Sequence, residues 1–149
     1  MTTDPLLKYR EQHKHRLNYM PWLYWSLKAK HREWAEAWQA EYQAYLMEME
    51  TIEIGKNCFI SPLAHIFAER GRKITIGDNT FIAADCTLHG PLEIGNEVAI
   101  NHHCILDGGK SGIKLHDQVR VAAYSHLYAF DHGMDLDRPI YQQPVSSKG

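Results

Sequence analysis

Ile76-Gly-Asp-Asn-Thr-Phe-Ile82-Ala-Ala-Asp-Cys-Thr-Leu88-His-Gly-Pro-Leu-Glu-Ile94-Gly-Asn-Glu-Val-Ala-Ile100-Asn-His-His-Cys-Ile-Leu106 places an aliphatic side chain at every sixth position. Neither the 3.6-residue period of a helix nor the two-residue alternation of a strand produces such a step, whereas a solenoid that turns a corner every six residues does. The column runs on in both directions, from Ile54, Ile60 and Ile66 to Leu115, Val121 and Leu127, with every interval six except one of ten and one of nine. Three sides make a coil, so the pattern predicts a mainly β chain: a parallel β-helix of about four coils, beginning at Ile54, Ile76, Ile94 and Leu115.

The corners read residue by residue. Gly55, Gly77 and Gly95 follow the first three coil starts, and His116 takes that place in the fourth. Glycine suits a corner where the backbone takes positive φ or passes close to a neighbour, and the polar pairs that follow, such as Asp78-Asn79, suit an exposed turn. Four positions beyond the aliphatic residues of the first two sides stand Cys58, Thr80, Val98, Val119 and Ala64, Cys86, Cys104, Ser125, all small or β-branched and able to line a narrow interior. Each cysteine therefore reads as a buried, unreactive thiol rather than a metal ligand or nucleophile. The two long intervals hold Glu69 to Lys73 and Asp107 to Gly112, expected as loops extruded after the third side.

Residues 1–50 follow another rule. Asp4 before Pro5 makes an N-cap and first-turn pair, and Pro21 can open a second helix. Trp34, Trp38, Tyr42, Tyr45, Leu46 and Met49 then fall on one face at the helical period. That stripe packs on the rest of the protein or a neighbouring subunit, or lies at a membrane surface. The sequence thus divides into a helical segment at 1–50, coils at 51–132 and an extended loop or tail at 133–149.

Composition narrows the function. The 149 residues carry 16 lysines and arginines against 18 acidic residues, interspersed, which gives no basic stripe for a nucleic acid. No run of 18 apolar residues spans a bilayer, so no stable membrane insertion is expected. Three cysteines without an apolar leader point to a reducing, cytoplasmic setting.

The repeated Ile-Gly unit, with Val98-Ala-Ile-Asn-His-His-Cys-Ile-Leu-Asp107 and the stretch from Asp131-His132-Gly133 to Arg138-Pro139-Ile140-Tyr141-Gln142, resembles the hexapeptide-repeat acyltransferase superfamily. The likeness is greatest to the maltose and galactoside acetyltransferases and the O-acetyltransferases of polysaccharide synthesis. It covers 54 to about 144 and not the helical segment. The resemblance implies a left-handed coil, a homotrimer, acetyl-coenzyme A as co-substrate without a metal, and a sugar or polysaccharide hydroxyl as acceptor. It places His132 on the family's catalytic histidine, a group that titrates near neutrality and can take the proton of a hydroxyl as it attacks a thioester. The plain alternative is a polar loop histidine. Asn101 matches the asparagine-bearing acceptor strand, with His102 or His103 as alternatives in a nearby register; Asp107 closes the same stretch. Turn chemistry is the rival reading of that group.

In the family further coils follow the segment that corresponds to 133–149, and they supply much of the coenzyme A groove, so no residue here is assigned to coenzyme A. Without them the chain is expected either to be a fragment or to recruit a partner or a second copy at that end. Two other functions compete: a non-catalytic assembly scaffold, and a gamma-class carbonic anhydrase. The second is suggested by Leu88-His89-Gly90 but lacks a companion histidine at position 84, which is alanine.

Overall fold

The computed structural model describes residues 5–149; the N-cap expected at Asp4 lies outside them. Twelve short strands stack as three parallel sheets of four. The first side is built from β1 (Ile52–Ile54), β4 (Ile74–Ile76), β7 (Leu92–Ile94) and β10 (Ile113–Leu115). The second holds β2 (Phe59–Ile60), β5 (Phe81–Ile82), β8 (Ala99–Ile100) and β11 (Arg120–Val121). On the third lie β3 (His65–Phe67), β6 (Thr87–His89), β9 (Ile105–Asp107) and β12 (His126–Tyr128). The registers join Ile54, Ile76, Ile94 and Leu115, then Ile60, Ile82, Ile100 and Val121, then Ile66, Leu88, Leu106 and Leu127. These are the three columns the six-residue step predicts, and the chain is a parallel β-solenoid of four coils with a helical segment before it.

Burial follows the stacking. In the middle coils Ile82, Leu88, Ile100 and Leu106 are fully enclosed, while Leu127 of the last coil is 38% exposed. Stacking also explains the glycines. A β-carbon on Gly77 would lie 2.6 Å from the Gly95 carbonyl carbon, and one on Gly95 would lie 2.9 Å from that of His116. None of Gly55, Gly77 and Gly95 has positive φ; that conformation falls two residues later, on Asn57, Asn79, Glu97 and Gln118. Close approach, not turn geometry, is what demands glycine. Between them, Asp78, Asn96 and Asp117 each accept the backbone N–H of the coil below through Oδ1, at 2.7–2.8 Å.

The inward small residues are buried and bonded. Cys58 Sγ donates to the Gly77 carbonyl, Cys86 Sγ to that of Asn101, and Cys104 Sγ to that of Ala122, each at 3.0 Å. Burial pushes all three thiols above their ordinary range, Cys86 to about 12. They fit the unreactive reading.

The helical segment comprises α1 (Pro5–Tyr19), a short 3-10 turn at Pro21–Ser26, and α2 (Ala29–Met49). Pro21 opens the 3-10 turn and not a second α-helix, because Leu27 and Lys28 adopt extended backbone before α2 begins. This segment covers the first coil. Gln39, 2% exposed, clasps the free edge of β2: its Oε1 accepts the Ile60 N–H at 2.8 Å and its Nε2 donates to the Ile60 carbonyl at 3.1 Å. Gln43 Nε2 donates to the Cys58 carbonyl at 2.9 Å, and Leu46 enters the solenoid core. A second core forms on the outer face of the second side, where Phe59, Phe81 and Ala99 meet Leu17, Tyr24, Ala35, Trp25, Trp34 and Trp38. The aromatic stripe therefore packs on the solenoid through Trp34, Trp38, Tyr42 and Leu46, while Tyr45 and Met49 face outward.

After the last coil, β13 (Asp131–His132) pairs antiparallel with β14 (Val145–Ser146). Between them the buried Gln143 gathers the loop: its Nε2 donates to the carbonyls of Asp135 and Arg138, and its Oε1 accepts the Asp135 N–H.

Candidate functional site

The third corner, where the extruded loops stack, builds the site. Successive coils place Phe67, His89, Asp107 and Tyr128 in one registered row at the ends of β3, β6, β9 and β12. Being next to the inward Leu88 and Leu106, these side chains point outward. His89 Nε2 is 2.9 Å from Glu69 Oε1, and its Nδ1 faces Asp107 Oδ2 at 3.5 Å. Both ring nitrogens thus look at a carboxylate. The hydrogen bond from His89 holds the Glu69 carboxyl below the usual range, and Arg72, 3.2 Å from the same oxygen, acts in the same direction. Arg72 also donates to the Gly90 and Gly109 carbonyls at 3.0 and 2.6 Å, tying three coils at this edge.

Above this row lies a cavity of about 350 Å³, lined by Arg72, His89, Asp107, Lys110, Phe130 and Ser147 among others. The loop from Gly108 to Gly112 forms one wall. Its Gly109 N–H donates to Asp107 Oδ1 at 3.0 Å, while Lys110 and Ser111 N–H both donate to Ser147 Oγ at 3.0 and 2.9 Å. The hairpin of β13 and β14 forms the other, through Val145, the registered partner of His132.

His132 is exposed, and its ring centroid lies 6.2 Å from that of Phe130, a lining residue. No hydrogen-bond or ion-pair partner holds its ring among the described residues. Asp107 and His132 are accordingly brought to the same end of the third side. Asn101, His102 and His103 are not; they stand at the corner between the second and third sides.

At that corner His103 adopts φ 58°, the left-handed turn position shared with Asp85 and Tyr124 in the adjoining coils. His102 Nδ1 and His103 Nδ1 are 2.9 Å apart, so one donates and the other accepts. His103 Nε2 lies 3.4 Å from Asp85 Oδ2, the oxygen that also accepts the Tyr19 hydroxyl at 2.9 Å. Tyr124 stacks on His103 with ring centroids 4.6 Å apart. The bond to Asp85 holds the Tyr19 hydroxyl above the ordinary phenol range. Asn101 Nδ2 donates to the Val121 carbonyl at 2.9 Å and borders a different cavity, on the outer face of the second side.

His89 as part of a carboxylate-flanked cluster is the group sequence reasoning missed. Its signal is faint but present: position 107, one coil and 18 residues later in the repeat, is an aspartate, so the register alone puts His89 beside it. Glu69 sits in an extruded loop outside the repeat and could not be placed that way. Among the described residues no group of three His, Cys, Asp or Glu side chains is arranged to hold a metal ion.

No family model matches the chain. Over 55 residues it is 33% identical to dTDP-4-amino-4,6-dideoxy-D-glucose acyltransferase from Escherichia coli, a match covering 36% of this chain and 29% of that protein. Among solved structures it is similar to a mutant of AntD, an N-acyltransferase from Bacillus cereus, in complex with dTDP and coenzyme A. The TM-score is 0.58 at 26% identity, over 70% of this chain and 58% of the other. The chain therefore spans less than two thirds of the length of either relative. The resemblance to hexapeptide-repeat acyltransferases read from the repeat is met in both sequence and fold.

Proposed function

We propose that this chain carries the coils of an acyltransferase that moves an acyl group from coenzyme A to a nucleotide-linked sugar, at the cavity beside Asp107. The carrying observation is the row at the third corner: a cavity with His89 and Asp107 on its floor and the His132-bearing hairpin on its wall, set on a coil stack similar to that of a protein bound to dTDP and coenzyme A. Both relatives are acyltransferases; one is named as an N-acyltransferase, and the other is named for a sugar with an amino group. That favours an amine over the hydroxyl acceptor suggested by the repeat alone.

In this reading the acceptor nitrogen attacks the thioester carbonyl, the tetrahedral intermediate expels the coenzyme A thiolate, and the ammonium proton passes to a histidine. His132 is the proposed proton acceptor: its exposed ring sits on the hairpin strand whose registered partner, Val145, lines the cavity, 6.2 Å from the ring of the lining Phe130. One observation favours a second candidate: His89 is partly buried, lines the cavity itself and has Asp107 on Nδ1 to orient it, leaving Nε2 to take the proton once it exchanges its 2.9 Å contact with Glu69 for the substrate. An acetyl donor and a homotrimer belong to the same proposal, and sedimentation tests the assembly.

Purified chain incubated with acetyl-coenzyme A and dTDP-4-amino-4,6-dideoxy-D-glucose should release free coenzyme A. His132→Ala should lower kcat by about 10²–10⁴-fold, the loss expected for a positioned base. Wild-type turnover in that variant, with the same loss in His89→Ala, would transfer the role to His89. No release by the wild-type chain with any amino or hydroxyl sugar nucleotide would overturn the function and leave a scaffold.

A further inference from the structure

The outer face of the second side holds a second cavity, and its shape follows from four registered residues. Going up the coils they are Phe59, Phe81, Ala99 and Arg120: two rings, a methyl group, then a guanidinium. The step down from Phe81 to Ala99 opens a groove of about 440 Å³, walled on its other side by the Pro21–Ser26 turn.

Trp25 is fixed in that wall. Its Nε1 donates to the Asn57 carbonyl at 3.2 Å and its ring lies 6.0 Å from Phe81. Trp22 stands at the rim, 51% exposed, with no ring or hydrogen-bond partner among the described residues. Exposing an indole on a rigid turn, anchored by the buried Pro21, forgoes a large apolar burial that a ligand can recover.

The polar ends are also specific. Asn101 spends its Nδ2 on the Val121 carbonyl, which aims the amide and leaves Oδ1 without a donor among the described residues. Arg120 donates one N–H to the Glu97 carbonyl and keeps its other donors, while the Glu97 carboxylate is engaged by Gln118 Nε2 at 2.8 Å. Two indole faces, one directed carbonyl acceptor and one guanidinium match a flat ring with an N–H edge, joined to an anion.

We propose that this groove binds the nucleoside end of a nucleotide substrate: the base against Trp22 and Trp25, its N–H edge on Asn101 Oδ1, and a phosphate on Arg120. The inference rests on the acyl-transfer reading, in which both co-substrates carry a nucleotide, the acceptor as a sugar diphosphate and the donor as coenzyme A.

Calorimetric titration of the full chain with thymidine diphosphate and, separately, with coenzyme A tests it. Trp22→Ala should weaken one of the two about tenfold or more, as loss of one base-stacking surface does, and Trp22→Phe should restore most of the affinity. Arg120→Gln should weaken the same ligand and reduce its salt dependence. An effect on thymidine diphosphate assigns the groove to the acceptor, and an effect on coenzyme A assigns it to the donor. Wild-type affinity for both ligands in Trp22→Ala and Arg120→Gln would overturn the groove while leaving acyl transfer standing. A wild-type chain that binds neither ligand would remove both.

Discussion

An added methyl group at Gly77 would sit 2.5 Å from Asn96 Oδ1 and 2.6 Å from the Gly95 carbonyl carbon and oxygen, so two coils would have to separate. Gly77→Ala should therefore destabilise by about 1–3 kcal/mol, the usual cost of overpacking, and a urea midpoint is the measurement. Gly71→Ala is the control, since nothing lies within 4 Å of the added carbon there and only its φ of 88° resists the change. The thiols give a second test. Cys86 titrates at about 12 in the fold against 9.0 when free, so the folded state holds its proton more tightly. The resulting stability is complete below about pH 9 and is lost as pH rises toward 12. Melting temperature should fall across that window, and Cys86→Ala should fall less steeply. These residues were legible in advance because each occupies a fixed place in the repeat. His89 was harder: its partner Glu69 lies in a loop that no period predicts.

The second helix works as an end piece. A first coil exposes unpaired N–H and C=O groups along β2, and α2 meets them with Gln39 and Gln43 while inserting Leu46 beneath the core. Gln39→Leu leaves the Ile60 N–H and carbonyl without their partner in a buried place, and should cost about 1–3 kcal/mol per group in thermal unfolding. Gln39→Glu keeps one acceptor and should retain part of the loss. The helical period announced α2 and its aromatic face, but not what that face would meet. A glutamine directly after Trp38 carries no sign of its role, because its partner is the backbone of a residue 21 positions away. The same holds for Pro21, where a proline fit for the first helical position suggested the start of a second helix, and the chain instead makes a 3-10 turn followed by two extended residues.

The described residues form two cores, one inside the coils and one between them and the helical segment, joined at β2, where Ile60 belongs to the first and Phe59 to the second. Phe59 is fully buried, with Tyr24 and Trp38 rings 5.5 and 5.9 Å away. Phe59→Ala should cost about 3–5 kcal/mol. Limited proteolysis should then cut within the first fifty residues before it cuts the coils; simultaneous cleavage would show that the two cores do not unfold separately. The six-residue step made the solenoid readable from end to end, whereas the second core depends on rings from separate segments that share no period. Gly55, Gly77 and Gly95 carry one more implication: each obeys the backbone stacked above it, so a bare α-carbon at that station records a tight neighbour on one particular side. His116 occupies the same station in the fourth coil. Any polypeptide that seats itself on that surface, from this chain or another, must leave room for an imidazole there and so cannot reproduce the spacing that the lower coils share.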